Sequence, residues 1–447
     1  MSRPRLIGHT GALLALALCA LAPRLSHAVP SFARQTGQDC AACHVGAYGP
    51  QLTPFGIKFK LGGYTDGNGK RSVPLSGMAV ASFTRTGKAQ DAPPADGYKT
   101  NNNTALDEAS LFVAGKLADQ LGAFVQVTYD GIAKKTAIDQ ADLRFAHATS
   151  WNGKDLVLGL SVNNNPGVQD PFNSSPVWSF PYASSALGFS GAETGTLING
   201  ALEQRVVGAS AYAFLDNHWY AELGTYKALS PRGQSLLGLG RDEDPGRIPG
   251  AAYWRFAWFN DRKRDNWSVG LFGLNAGLQP GRSPGAPSNR YQDVGIDGQY
   301  QFLGTRDHIF TLQGSFVRER QRRYDLVSAG EADNLTGHLR ELKLNASYHF
   351  AQTWGLTLGH FRTTGDADAT LYGGMAGNKP DTRGQVLQLD WTPWGKEDSW
   401  AAPWANLRLG AQYTWYSRYN GARSNYDGAG RNASDNNTLF LFAWTSF

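Results

Sequence analysis

Two thiols and an imidazole are the first groups in this sequence spaced to do chemistry together: Cys40-Ala41-Ala42-Cys43-His44. Sulfurs two residues apart can form thioethers with the two vinyl groups of a porphyrin, and the adjacent imidazole then lies over the iron. This is the attachment pattern of haem c, one group held covalently, with His44 as the proximal iron ligand. A redox disulfide and half of a zinc site are the competing uses of such a pair. The zinc set lacks a second cysteine pair, because the chain has three cysteines and the third is Cys19. A histidine directly after the second thiol belongs to haem chemistry.

Around the motif, Thr53-Pro54 reads as an N-cap and first-turn proline, and Gly62-Gly63 as a helix stop. Phe55 and Phe59 fall one turn apart between them, so a two-turn helix is expected to lay both rings on the porphyrin. The segment 29–74 is short for a soluble domain with its own core, so it must borrow a wall.

The elements that position these groups lie on either side. Residues 1–28 read as an export signal: Arg3 and Arg5, an apolar run from Gly11 to Ala22 that is too short to span a bilayer, and Ser26-His27-Ala28 before cleavage. Cys19 is lost with it. From 75 to 447 the pattern has period two. Leu407, Leu409, Ala411, Tyr413 and Trp415 alternate with Asn406, Arg408, Gly410, Gln412 and Thr414. Runs of this kind predict about sixteen strands, near 75–86, 107–117, 122–131, 138–148, 154–163, 205–214, 218–227, 250–260, 266–276, 291–303, 307–317, 338–350, 354–364, 384–394, 404–418 and 437–447. Short turns follow even-numbered strands and long polar loops, including Asn164 to Ala201, mostly follow odd ones. The last strand, NTLFLFAWTSF, closes on Phe447.

The fold class expected is therefore all-β, a transmembrane antiparallel barrel of about sixteen strands in a bacterial outer membrane, behind a haem segment at 29–74. Short periplasmic turns put the N-terminus in the periplasm and the long loops outside. The haem segment then enters from the periplasm and is expected to plug the lumen. A mean hydropathy of −0.37 agrees with such a barrel, in which only alternate residues meet lipid. With 42 basic and 37 acidic residues and no long run of either sign, no nucleic-acid partner is expected. Asp242, Glu243 and Asp244 read as solvated turn residues, and Asp142, Arg144, Lys343, Asp390 and Arg408 as lumen charge.

Strand parity also suggests the sixth iron ligand. Leu75, Gly77, Ala79, Ala81 and Phe83 read as lipid-facing, which points Met78, Val80 and Ser82 inward. Met375 falls in an external loop, leaving Met78 as the methionine within reach. A lumen-facing histidine such as His349, or an open position, is the alternative. Methionine opposite histidine would raise the haem potential.

The stretch Pro30-Ser31-Phe32-Ala33-Arg34-Gln35-Thr36-Gly37, the Cys-Ala-Ala-Cys-His motif, Leu52-Thr53-Pro54-Phe55-Gly56 and Phe59-Lys60-Leu61 together resemble the fused outer-membrane cytochrome-porins of iron-oxidising bacteria. So does the loop from Asn164-Asn165-Pro166-Gly167 to Phe172, with Trp178 and Pro181-Tyr182. The resemblance implies a single-haem protein that takes electrons from extracellular Fe(II), an iron(II) oxidase activity, and passes them to a periplasmic c-type cytochrome. Two other functions stay open: a solute porin with a haem-bearing structural plug, and a haem-based redox sensor.

Overall fold

The structure, a computed structural model, describes residues 30–69, 73–239, 246–283, 285–396 and 398–447. The expected signal 1–28 and the turn residues Asp242, Glu243 and Asp244 lie outside the described residues.

The alternating runs form sixteen strands: β1 (Leu75–Thr86), β2 (Asn103–Ala118), β3 (Leu121–Asp130), β4 (Lys135–Trp151), β5 (Lys154–Asn163), β6 (Val206–Leu215), β7 (Trp219–Ala228), β8 (Ala251–Asp261), β9 (Asp265–Leu278), β10 (Asn289–Phe302), β11 (His308–Arg322), β12 (Thr336–Phe350), β13 (Trp354–Gly365), β14 (Thr382–Trp391), β15 (Asn406–Arg418) and β16 (Thr438–Ser446). Each pairs antiparallel with its neighbours in sequence, and β1 pairs with β16 to close the cylinder. At this seam the Gly77 N–H donates to the Phe447 carbonyl at 2.6 Å and the Phe447 N–H returns to Gly77 at 2.9 Å. Closure removes the sheet edges, whose unpaired amides lipid would not tolerate.

Period-two alternation then separates two environments. Leu111, Leu160, Leu223, Leu271 and Leu358 point outward and are exposed, forming an apolar belt. At the short-turn end Trp151, Trp219, Trp267, Trp354 and Trp391 sit at strand termini, and the Trp354 and Trp391 rings stack at 5.8 Å. An apolar belt flanked by aromatic rings on a closed even-stranded cylinder matches the two interfaces of a bilayer. The chain is a porin-like β-barrel of the bacterial outer membrane, with lipid against its outer face.

Sixteen strands alone would leave a wide aqueous lumen. Here inward-facing Arg144, Arg255, Glu222, Asp297 and Gln301 are almost wholly buried, because two chain segments fill the interior. The first is the N-terminal segment, with helices α1 (Pro30–Thr36), α2 (Cys40–Cys43) and α3 (Pro54–Leu61). It occupies the periplasmic half: Gln301 donates to the Leu52 carbonyl and Asn406 to the Ala47 carbonyl, each at 2.8 Å.

The second filler corrects the expectation of an external loop at Asn164 to Ala201. Between β5 and β6 the chain folds inward, burying Val168, Asp170, Phe172 and Ser174. Its polar composition suits this interior because lumen side chains satisfy its backbone. The amides of Thr196, Leu197 and Ile198 donate to Glu341, Glu319 and Asp293 on β12, β11 and β10. Arg255 on β8 makes two bonds to Asp297 at 2.7 and 2.9 Å and lies 3.3 Å from Asp170 of the inward loop. The expected lumen charges are also in place: Arg144 pairs with Asp142 at 2.7 Å and Arg408 with Asp390 at 2.6 Å, all four buried, and Lys343 bonds the inward residue Asn199.

Candidate functional site

Asp39 starts the motif. Its carboxylate accepts from the Ala42 amide at 2.9 Å and caps the single turn α2, which sets Cys40 and Cys43 on one face. The chain leaves that turn extended at His44, whose backbone bridges to Leu52. Thr53 ties the motif to the next helix: its hydroxyl donates to the Ala42 carbonyl at 2.5 Å and its oxygen accepts from the Gly56 amide at 3.3 Å, capping α3 as the sequence predicts. Gly56 is needed for this contact, since a Cβ there would lie 2.5 Å from the Cys43 carbonyl. Gly62 ends the helix, its N–H bonded to the Lys58 carbonyl at 2.9 Å.

Cys40, Cys43, His44, Phe59 and Met78 line one cavity of about 420 Å³ inside the barrel. The plug supplies all but Met78, which projects inward from β1 as strand parity predicts, buried with Phe112 and Ala114 against Phe32, Phe124 and Trp444. Phe59 meets Phe32 edge-on at 4.9 Å, and Phe32 stacks on Tyr64 at 5.4 Å. A largely aromatic box thus surrounds two thiols, an imidazole and a thioether.

Phe55 does not join them. Although it shares a helix with Phe59, it is 38% exposed and lies outside the cavity lining. The helix instead buries Ile57 and Leu61 in a cluster with Phe172, Tyr212 and Phe259. That rotation leaves the first-turn ring without a wall to pack on. His349 is also displaced from the role of alternative ligand. Its ring wedges against the plug beside Gly46, where a Cβ would approach within 2.3 Å of it, and it is not part of the cavity lining. Met375 lies between β13 and β14, on the external side.

The motif's environment holds its groups neutral. Burial lowers the His44 pKa to about 4, with the Gly49 carbonyl opposing weakly, and its Nδ1 makes no hydrogen bond. A neutral imidazole is the form that binds metal. Burial raises the thiols, Cys40 to about 11 with help from Asp39, and Cys43 to about 12 with help from Cys40 and Asp39. Lys60 forms part of the roof, donating to the Val168 carbonyl and to Asn173 Oδ1 at 2.7 Å each. Burial and the neighbouring Arg144 bring its pKa down to about 7, while Asp142 opposes them.

No protein-family description and no curated protein matches the sequence. Among solved structures the chain is similar to the anion-selective porin from Comamonas acidovorans, at 12% identity over 83% of this chain and 98% of that one, TM-score 0.47. It is also similar to the Salmonella typhi OmpF complex with daunomycin (11% identity, 83% and 97% covered, TM-score 0.48) and to in-vitro folded OmpT of Vibrio cholerae (11%, 84% and 97%, TM-score 0.43).

The cavity also contains residues the sequence reading did not assign to the site: Tyr48 and Tyr64 from the plug, Phe112 and Phe124 from β2 and β3, and Trp444 from β16. Their only sequence mark is an inward position on a strand or a place in the N-terminal segment, shared with dozens of others. Trp178, Pro181 and Tyr182, which belong to the loop in the family resemblance, form the roof. A second cavity of about 550 Å³ shares Glu108, Asp139 and Tyr182 with the first and runs to Ala133 and Lys135 in the external β3–β4 hairpin.

Proposed function

We propose that the chain carries one covalent haem c and conducts electrons across the outer membrane, from an extracellular donor, with Fe(II) as the candidate substrate, to a periplasmic c-type cytochrome. The observation that carries this reading is the convergence of Cys40, Cys43, His44 and Met78 on one cavity in a filled lumen. Cys40 and Cys43 would hold the porphyrin through thioethers, with His44 and Met78 on the iron. When bound, such a group takes up and releases one electron at a time, which is the stoichiometry Fe(II) oxidation requires.

The chain's own residues do the rest. Phe32, Phe59, Phe112 and Phe124 exclude water from the cavity. The plug and the inward loop, bonded to each other through Lys60 and Asn173, obstruct solute passage. Glu108 and Asp139, shared by both cavities, give the approach from outside an acidic lining that attracts cations. On the other side the motif lies near the periplasmic mouth, where Asp39 is 3.9 Å from Arg306 of the β10–β11 turn.

Anaerobic titration of the oxidised protein with Fe(II), followed through the haem absorption bands, tests the reading. Stoichiometric reduction is expected; bands indifferent to Fe(II) and to other donors would defeat it. The porin-like sixteen-strand cylinder favours a second reading, a solute channel whose plug bears the haem. That reading requires substantial ion conductance in a planar bilayer, whereas an electron conduit with a filled lumen requires little.

A further inference from the structure

We infer that Tyr48 and Trp444 form a carboxylate-binding subsite in this cavity, fitted to a propionate of the porphyrin; the inference rests on the haem reading above. The Tyr48 hydroxyl and the Trp444 indole Nε1 are both buried without a hydrogen-bond partner, and both residues line the cavity. Their rings meet edge to face at 5.0 Å, so the two donors belong to one corner, the plug supplying one and β16 the other. Ser446, two residues further along β16, lines the same cavity and acts on Tyr48 as a donor toward the phenol oxygen, which leaves the phenol O–H itself to serve another acceptor.

Leaving a buried donor unsatisfied costs about 1–3 kcal/mol, so two on neighbouring rings of one cavity lining mark a place for an acceptor. Apart from the His44 imidazole, whose Nδ1 is also unbonded, other donors of the lining are engaged. Lys60 serves Val168 and Asn173, Gln126 serves Ser110, Gln140 serves Glu203, Trp178 serves Gly167, and Tyr182 serves Gln313. Among the charged groups near Tyr48, the Arg408 guanidinium acts on it more strongly than the Glu108 carboxylate of the same lining. A porphyrin tethered at Cys40 and Cys43 brings two propionates into a space whose uncommitted phenol and indole donors are found at Tyr48 and Trp444. Donors on an ionised carboxylate spread its negative charge, which reduces its stabilisation of ferric iron.

The test uses the full-length haem-loaded barrel and the variants Tyr48→Phe and Trp444→Phe, with Tyr182→Phe as a control in the same lining. Resonance Raman spectra report the propionate-bending band, and redox titration reports the potential. Each of the first two variants is expected to shift the band and lower the potential, while Tyr182→Phe leaves the band in place. A band unmoved in both, or moved equally by Tyr182→Phe, overturns the subsite. Failure of the underlying reading looks different: the wild-type protein would then contain no covalent haem at all.

Discussion

His44 and Met78 line one cavity from two parts of the fold, the first from the plug just after α2 and the second from the inward face of β1. No local sequence motif joins them, and they share a cavity only because the plug folds back beneath the strand that follows it. Met78→Leu keeps the apolar volume but removes the sulfur. It should lower the haem potential and change the absorption spectrum while the barrel still folds; an unaltered spectrum would take Met78 out of the ligand set.

Gly46 tests the placement of the plug. It has φ +69° and would carry a Cβ into the His349 ring at 2.3 Å. Gly46→Ala should therefore cost about 1–3 kcal/mol from overpacking and make the segment around Cys40 more sensitive to protease. His349→Ala should leave the haem spectrum at its wild-type position, since His349 lies outside the cavity lining. A spectral change to an open-site form in His349→Ala would restore this residue as a ligand.

The thiols give a pH signature in protein folded without haem. With pKa values raised to about 11 and about 12, the fraction present as thiolate at pH 8 is about 100-fold or more below that of ordinary thiols. Alkylation of Cys40 and Cys43 should thus be slow in the folded apo-barrel, accelerate as pH rises toward 11, and be fast after unfolding. Mass spectrometry of the labelled peptides reads this out. Equal rates in folded and unfolded protein would place the motif outside the lumen.

Arg255 holds the inward loop through Asp170 and the wall through Asp297. Removing one member of a buried charged cluster costs about 3–5 kcal/mol, because its partners remain buried and uncompensated. Arg255→Ala should loosen residues 164–204 and raise single-channel conductance in a planar bilayer. Conductance identical to that of the wild type would mean that the loop is held by its other bonds alone.

Much of this was readable from residue order. The alternation of Leu407, Leu409 and Ala411 with Arg408, Gly410 and Gln412 reports directly which environment each side chain enters, so strand number, strand parity and the inward direction of Met78 follow from it. The Thr53-Pro54 cap and the Gly62 stop are local and also came through. The inward course of 164–204 did not, because its partners, Glu341, Glu319 and Asp293, are more than ninety residues away along the chain. A polar stretch rich in Asn, Pro and Ser looks the same whether water or a lined lumen satisfies its backbone. Phe55 failed for a related reason: helical spacing places it beside Phe59, but only tertiary packing decides where the wall ends.

The seam between β1 and β16 couples the closure of the wall to the placement of the plug. The plug is joined to the first strand, and the last strand closes against that same strand, with Phe447 latched to Gly77. The strand that tethers the plug is thus the strand on which the wall closes, so a change that loosens β1 reaches both the seal of the cylinder and the anchor of its interior.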